Sequence, residues 1–382
     1  VTTYLRQPIL TVSVNGIPLS EVISARCQIG YTLSIAQAEV ELPSLPEGLV
    51  PFDTVEVFMG ATEATIEVRF TGYVTQIENE LYPKAVKLTC RGNLQKAETY
   101  AAMTDVDMTS YAYYLINGGT FGHTDETMVS TILYIVGLTT GYTPSGETPY
   151  TGIGGTGTML GKTVPFVNTA FTWNTGESGL SFIQKLDSVC LGYCTFELAD
   201  GSIVRQQISA LPAVSASKTF TEHVDIYRAT ALDTILEAKN RIKVSGWQRN
   251  NNTDAAKNEA TADAENYWFN ILSGSTQWYV QHSLSSAMIE GSLIDGVDPA
   301  GLECQAVADW QLAELNVRRL RVNLTTPRDD NIAPGATIAI NSPTRLGITT
   351  QNFWVQEVAC EVNRQNQFAQ NLVCLGVVPE PA

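Results

Sequence analysis

Apolar residues recur at every second position in short runs near both ends of the chain, a spacing that admits β-strands and little else. Leu10, Val12 and Val14 alternate with polar neighbours. The same period returns in Val55, Val57 and Met59, in Val68 and Phe70, and in Val86, Leu88 and Cys90. Successive strand side chains point to opposite faces, so each run buries one face and wets the other. Asn15-Gly16, after the first run, has the positive-φ chemistry of a tight hairpin turn. Gly72 within FTGYV marks a bulge or a close backbone approach. Pro43, Pro46 and Pro51 punctuate the links. Residues 1–104 therefore predict one antiparallel barrel or sandwich, completed by strands drawn from 216–247.

The last sixty residues carry four more strand-like runs: LRVNLTT, ATIAI, NFWVQEVACEV and FAQNLVCLG. Asp329, Asp330 and Pro334-Gly335 supply turn chemistry between the first two. Residues 230–247, where Ile242 and Val244 precede Gly246-Trp247, have strand character as well. A helix is expected over 302–318, capped by Asp298, with Pro299 in its first turn and a stripe of Trp310, Ala313 and Val317.

Between the two ends the pattern changes. Tyr111, Tyr113 and Tyr114 precede a short helix at about 125–137, with Asp125 as its cap. A Gly/Thr-rich stretch, 140–165, lacks apolar periodicity and reads as a long loop in contact with a partner chain. Leu180, Ile183, Leu186 and Cys190 share one helical face, and a hairpin with an Asp200-Gly201 turn follows. Residues 105–215 are thus expected to form an insert of helices and a hairpin. The stretch 249–266 is polar and reads as loop or disordered chain within a connecting region, 248–300. The fold class is mainly β with some α.

Chemistry-bearing motifs are sparse. GGTGTMLGKT (154–163) ends like a phosphate-binding loop, but Thr156 stands where its first glycine belongs, and Pro165 follows instead of a helix. His123, His223 and His282 are scattered, and no metal-ligand spacing joins them to the Cys190/Cys194 pair. The seven cysteines, Cys27, Cys90, Cys190, Cys194, Cys304, Cys360 and Cys374, contain no CxxC. Cys90, Cys360 and Cys374 lie in strand-like runs and read as reduced core residues, and core packing accounts for the Cys190/Cys194 pair. Glu177, Asp187 and Asp200 fit a helix start, a helix surface and a turn, although a glycan-cleaving pair needs only two carboxylates. Trp247, Trp268, Trp278, Trp310 and Trp354 form no stacking platform with basic residues. Arg318, Arg319 and Arg321 make one basic knot, set to neutralise carboxylates locally or across a subunit interface. No catalytic, cofactor or metal residue is assigned, and the expectation is a protein that is not an enzyme.

A formal net charge of −16 argues against nonspecific nucleic-acid affinity, which needs clustered cations. An acidic wall would instead let DNA slide past. The opening VTTYLRQPIL is unlike a signal peptide, and no run of 18 apolar residues offers a membrane span.

Four passages are similar to the baseplate hub proteins of contractile-tailed bacteriophages, relatives of the hub part of type VI secretion spikes. They are the strand pair around FTGYV and KLTCRG (70–92) after the opening hairpin, WNTGESGLSFIQKLDSVCLGYCTFELADGSIV (173–204), LNVRRLRVNLTT (315–326), and the ending from IAPGATIAI onwards. The resemblance implies two barrels like that of the tail-tube protein in each subunit, the second over 301–382 and sharing strands from 230–247, and a homotrimer forming a pseudo-hexameric ring. It implies a tail tube protein above, a central spike protein below, other baseplate proteins around it, and DNA only in passage through the lumen. The location implied is the virion baseplate, after assembly in the host cytoplasm. A tail-tube or other adaptor protein, and a glycan-binding or glycan-degrading tail protein, stay open as alternatives.

Overall fold

The computed structural model describes residues 8–60, 66–81, 84–108, 125–138, 142–143, 172–189, 192–208, 215–234, 238–248, 256–263, 281–290, 302–317, 319–327 and 331–378. The first strands are β1 (Ile9–Val14), β2 (Ile17–Pro18), β3 (Ser24–Gly30), β4 (Gln37–Leu42), β5 (Thr54–Gly60), β6 (Glu67–Leu81) and β7 (Lys84–Arg91). The middle of the chain holds helix α1 (Gln95–Thr99), β8 (Val106–Asp107), α2 (Asp125–Ile135), β9 (Tyr142–Thr143), β10 (Thr172–Trp173), α3 (Gly179–Val189), β11 (Tyr193–Glu197) and β12 (Ile203–Gln207). Next come β13 (Lys218–Thr221), β14 (Arg228–Thr234), β15 (Arg241–Gln248), β16 (Ala256–Asp263), β17 (Gln281–Glu290) and helix α4 (Leu302–Leu315). The chain closes with β18 (Arg319–Thr326), β19 (Thr337–Ser342), β20 (Ile348–Val362) and β21 (Phe368–Val377).

The alternating runs become strands that bury the anticipated face. Val12, Val55, Val57, Met59, Phe70, Val86, Leu88 and Cys90 all lie in one core with Val322, Leu324, Val355 and Cys374 from the far end of the chain. Asn15 and Gly16 both have positive φ, and the hairpin they close pairs Val14 with Ile17. Gly72 makes a close backbone approach: a Cβ there would lie 2.2 Å from the Arg91 carbonyl oxygen. Gly72→Ala is expected to cost about 1–3 kcal/mol through this overlap with backbone. Urea unfolding with an unchanged midpoint would show that the strands separate freely.

Two separate barrels were expected, but the described pairings form one 13-stranded sheet in which no ring of strands closes. Its order is β14-β18-β21-β20-β3-β4-β7-β6-β5-β1-β2, with β19 on β20 and β13 on β19. Strand β13, anticipated as completing the first barrel, pairs with β19 of the C-terminal half instead, and β14, which falls largely in the stretch anticipated as shared, pairs with β18 of that half. Their register partners lie there, so sequence proximity is overruled by pairing.

Strand β15, expected to be shared with the second barrel, lies in a separate sheet of order β16-β15-β17. Part of the polar stretch expected as loop is therefore strand β16, antiparallel to β15 from Gln248↔Ala256 to Arg241↔Asp263. Backbone pairing to a neighbour needs no apolar side chains, which is why the polar sequence concealed it. Helix α4 packs on β15 and β16. Its buried residues are Val307 and Ala308, with Leu312 and Leu315 against the core, while Ala313 of the expected stripe is exposed.

A second core joins this small sheet to the helices. Ile132, Leu133, Trp173, Leu180, Ile183, Leu186, Ile242, Val244 and Val307 belong to it. Ser178 caps α3, its Oγ accepting the Ser181 N–H at 3.1 Å. The hairpin β11–β12 follows with Gly201 at φ 79°, as the Asp-Gly turn predicts. Asp298, Pro299, Tyr111, Tyr113 and Tyr114 lie outside the described residues, as does all of 140–165 except Tyr142–Thr143 in β9.

Candidate functional site

The sheet consists of two like-ordered runs. From one end, β3-β4-β7-β6-β5-β1 and β14-β18-β21-β20-β19-β13 have the same succession of neighbours. The centre of each is a long bent strand of 15 residues, β6 in one and β20 in the other. Both bend at the same place: the register slips at Val74/Gln76 against β7 and at Val355/Glu357 against β21. A bulge inserts a residue on one strand and sharpens the local twist.

The bonds around the bends coincide. Phe52 N–H donates to Val74 O at 2.8 Å, and Val74 N–H to Asp53 O at 3.0 Å. Gly335 N–H donates to Val355 O at 2.8 Å, and Val355 N–H to Ala336 O at 2.9 Å. The entry to the first strand of each run also matches, with Ile23 N–H on Glu41 O and Tyr227 N–H on Thr325 O. Cys90 faces Val74 in the first unit, and Cys374 faces Val355 in the second. The two runs repeat one unit apart from the sixth strand, where β1 is antiparallel to β5 but β13 is parallel to β19.

The two units meet where β3 pairs antiparallel with the second half of β20, from Gly30↔Glu357 through Cys27↔Cys360 to Ala25↔Val362. On one face of this joint lies a cavity of about 420 Å³, lined by Cys27, Cys360, Arg69 and Ile332 among others. The opposite face is a ladder of charge. Lys87 Nζ lies 3.1 Å from Glu39, Arg364 Nε donates to Glu41 at 2.8 Å, and Ser24 Oγ donates to the same carboxylate.

A hairpin rivets the joint. Glu197, at the end of β11, is buried, and its two oxygens accept the N–H groups of Ala36 and Leu94. Burial pushes its carboxyl up to about 7 in spite of these donors. Gly92 leaves it room, since a Cβ there would meet Glu197 Oε2 at 2.0 Å. On the neighbouring strand, Gln206 Nε2 donates to Gly335 O at 3.3 Å, so one hairpin touches both units. The hairpin is tied to α3 by Asp187, which accepts Arg205 Nε at 2.8 Å and Thr195 N–H at 2.9 Å.

The turns at the two bends differ in exposure. Gly335 is covered by Gln206, whereas its counterpart Phe52 is 80% exposed with φ 76°. Asp53 braces this turn, accepting Val50 N–H and Asn15 Nδ2, and the same bonds hold its carboxyl below the usual range.

The residues singled out in the sequence are dispersed. Glu177 accepts Lys185 Nζ at 2.6 Å, Asp187 holds Arg205, and Asp200 accepts the Ser202 N–H within the turn. Arg319 reaches Glu314 at 3.7 Å and Arg321 reaches Gln356 at 3.4 Å. Cys27, Cys90, Cys360 and Cys374 are buried free thiols; Cys194 is half-buried, and burial pushes its thiol up to about 12. His223 is exposed beside Glu222, and His282 lies in β17. Trp310 is half-buried on α4 and Trp354 is buried in β20. The phosphate-loop-like stretch 154–163, Cys190, Arg318, His123, Trp268 and Trp278 lie outside the described residues, and Trp247 and Cys304 are described in backbone only. Among the described residues no three His, Cys, Asp or Glu side chains converge on a metal-sized space. No described helix is long and apolar enough to cross a membrane.

The fold is similar to that of solved bacteriophage tail proteins. The tail protein from Neisseria meningitidis MC58 superposes with a TM-score of 0.63 at 11% identity, over 96% of each chain. The 43 kDa tail protein of prophage MuSo2 from Shewanella oneidensis gives 0.60 at 7% identity, over 96% of this chain and 97% of that one. The E. coli c3393 protein gives 0.50 at 9% identity, over 97% of this chain and 79% of its own. That protein is a component of the type VI secretion system, structurally similar to the T4 tail proteins gp27 and gp5. No protein-family model and no curated sequence matches the chain. At these identities the likeness is one of fold, and it extends along the whole chain.

Proposed function

We propose that the chain is the structural hub of a phage-type tail baseplate. In this reading each six-strand unit corresponds to one tube-like barrel, centred on residues 1–104 and 301–382, with 105–215 and 248–300 as the regions between. Three copies form a ring of six near-equivalent units, matching a sixfold tail tube on one side and a threefold spike on the other. The observation that carries the reading is the duplication: two copies of one unit in one chain convert threefold symmetry into near-sixfold symmetry.

The role is one of assembly, with no catalytic step. Three copies would carry three times −16, or −48, and carboxylates facing the lumen would ease the passage of DNA. The tail tube, the spike and other baseplate proteins are its partners, and the virion baseplate its location. Multi-angle light scattering across a concentration range is expected to give a mass that rises to three times the monomer. A monomer at every concentration, combined with cleavage of cell-wall glycan, would instead favour the glycan-degrading alternative.

A further inference from the structure

The duplication leaves two strand edges without the neighbour that their counterparts have. In the second unit, the Glu357–Val362 segment of β20 is covered by β3. Its counterpart in the first unit is residues 76–81 of β6. There the β5 edge is paired only through Tyr73, and no strand continues along it among the described residues. In the first unit, β3 is sandwiched between β4 and β20; among the described residues its counterpart β14 ends the sheet, with β18 on one side only.

Burial follows the same division. Ala359 and Cys360 are buried, whereas their counterparts Glu78 and Asn79 are exposed; Val358 is buried and its counterpart Ile77 is half-buried against the core. Cys27 and Ile29 are buried, whereas their counterparts Ala231 and Asp233 are exposed; Gln28 is half-buried, whereas its counterpart Leu232 is 59% exposed. Tyr227, beside the free edge, is 76% exposed, while its counterpart Ile23 is half-buried. A free, partly apolar edge strand is a template for pairing with another chain.

We propose that β14 of one copy pairs antiparallel with residues 76–81 of β6 of a second copy of this chain, repeating between chains the joint that β3 makes with β20 within one. The proposal deepens the ring reading and rests on it. The register follows from the duplication. Ala231 lies opposite Val322 and Cys374 along the second unit, as Cys27 lies opposite Ala38 and Cys90 along the first. Asn79 lies opposite Val86, as Cys360 lies opposite Gln370. Cys27 faces Cys360 within the chain, so Ala231 faces Asn79 between chains, and Leu232 faces Glu78. The contact is head to tail, with different edges on the two partners, and such contacts build rings when the rotation closes. Each step repeats the relation between the two units of one chain, so the same joint recurs around the ring.

Paired cysteines test the register. Residues directly opposite in an antiparallel pair bring their Cβ atoms to about 4.5–5.5 Å, close enough for a disulfide. Ladder positions alternate between wide and narrow pairs, so two adjacent positions sample both geometries. The double variants Asn79→Cys/Ala231→Cys and Glu78→Cys/Leu232→Cys, treated with oxidised glutathione, are expected to give covalent dimers and trimers on non-reducing gels. The crossed pairs Asn79→Cys/Leu232→Cys and Glu78→Cys/Ala231→Cys, with side chains on opposite faces, and the wild-type chain are expected to stay unlinked. A trimeric mass with no linking, or with equal linking of crossed pairs, would overturn this joint and leave the ring reading intact. A monomeric mass at every concentration would overturn both.

Discussion

Glu197→Ala is expected to lose about 3–5 kcal/mol of unfolding free energy. The carboxylate is the partner of two buried donors, Ala36 N–H and Leu94 N–H, from two different segments of the first unit. Each donor left without an acceptor in the interior costs about 1–3 kcal/mol, and the emptied volume adds to that. The site also has a pH signature. The Glu197 carboxyl is raised to about 7 by burial, against 4.5 in an unfolded chain. Between these values the folded state holds a proton that the unfolded state has released, so the group's contribution to stability falls as pH rises through this window. The span is on the order of 3 kcal/mol, taking about 1.4 kcal/mol per unit. Urea titrations at pH 5 and pH 7.5 should show wild type gaining more over Glu197→Gln at pH 5. Equal differences at the two pH values would mean that the carboxyl titrates as an exposed one does.

The second large effect is expected at the pair that ties this hairpin to α3. Asp187→Ala should cost about 3–5 kcal/mol, the usual penalty for removing one partner of a buried ion pair. Arg205 has no exposed side-chain surface, and a guanidinium does not shed its charge at accessible pH. Thr195 N–H loses its acceptor in the same step. Asp187→Leu combined with Arg205→Met should recover much of the loss, because two apolar side chains leave no buried charge behind. Chemical denaturation of both variants decides between the alternatives. A single variant within 1 kcal/mol of wild type, on the scale of exposed pairs, would show that water reaches the guanidinium. The same hairpin touches the Gly335 turn through Gln206, so loosening it is expected to blur the angle between the two units before either unfolds.

Sequence reasoning singled out neither Glu197 nor Arg205, and Asp187, expected on a helix surface, is instead largely buried against Arg205. Glu197 carries a weak signal: it falls at the inward position of a strand beginning Tyr193-Cys194-Thr195, where an apolar residue is expected. Its partners Ala36 and Leu94 are 161 and 103 residues away, and they contribute backbone groups that no side-chain pattern announces. The duplication was more legible than it looked. Pro51-Phe52-Asp53-Thr54-Val55 and Pro334-Gly335-Ala336-Thr337-Ile338 lead into β5 and β19, and KLTC and NLVC occupy corresponding positions of β7 and β21. With only Pro, Thr and a few apolar positions shared, the correspondence is secured by the common bulge and the common hydrogen bonds.

By itself the sequence determined the strands and the direction each one faces. Alternation at period two is a local property, and most buried positions of β5, β7 and β21 follow from it, whereas β20 buries consecutive residues that alternation does not predict. The helix α3 and its Asp-Gly hairpin were equally local. What only the tertiary structure decided was which strand lies beside which. Strands β13 and β14 joined the C-terminal unit, β15 left it for a separate sheet, and polar residues 256–263 became a strand because β15 offered them a backbone to pair with. Backbone hydrogen bonds carry no record of side-chain identity, so neighbours distant in sequence are chosen by the geometry of the whole sheet. The joint at Cys27 and Cys360, and the two free edges that repeat its form, exist only at that level.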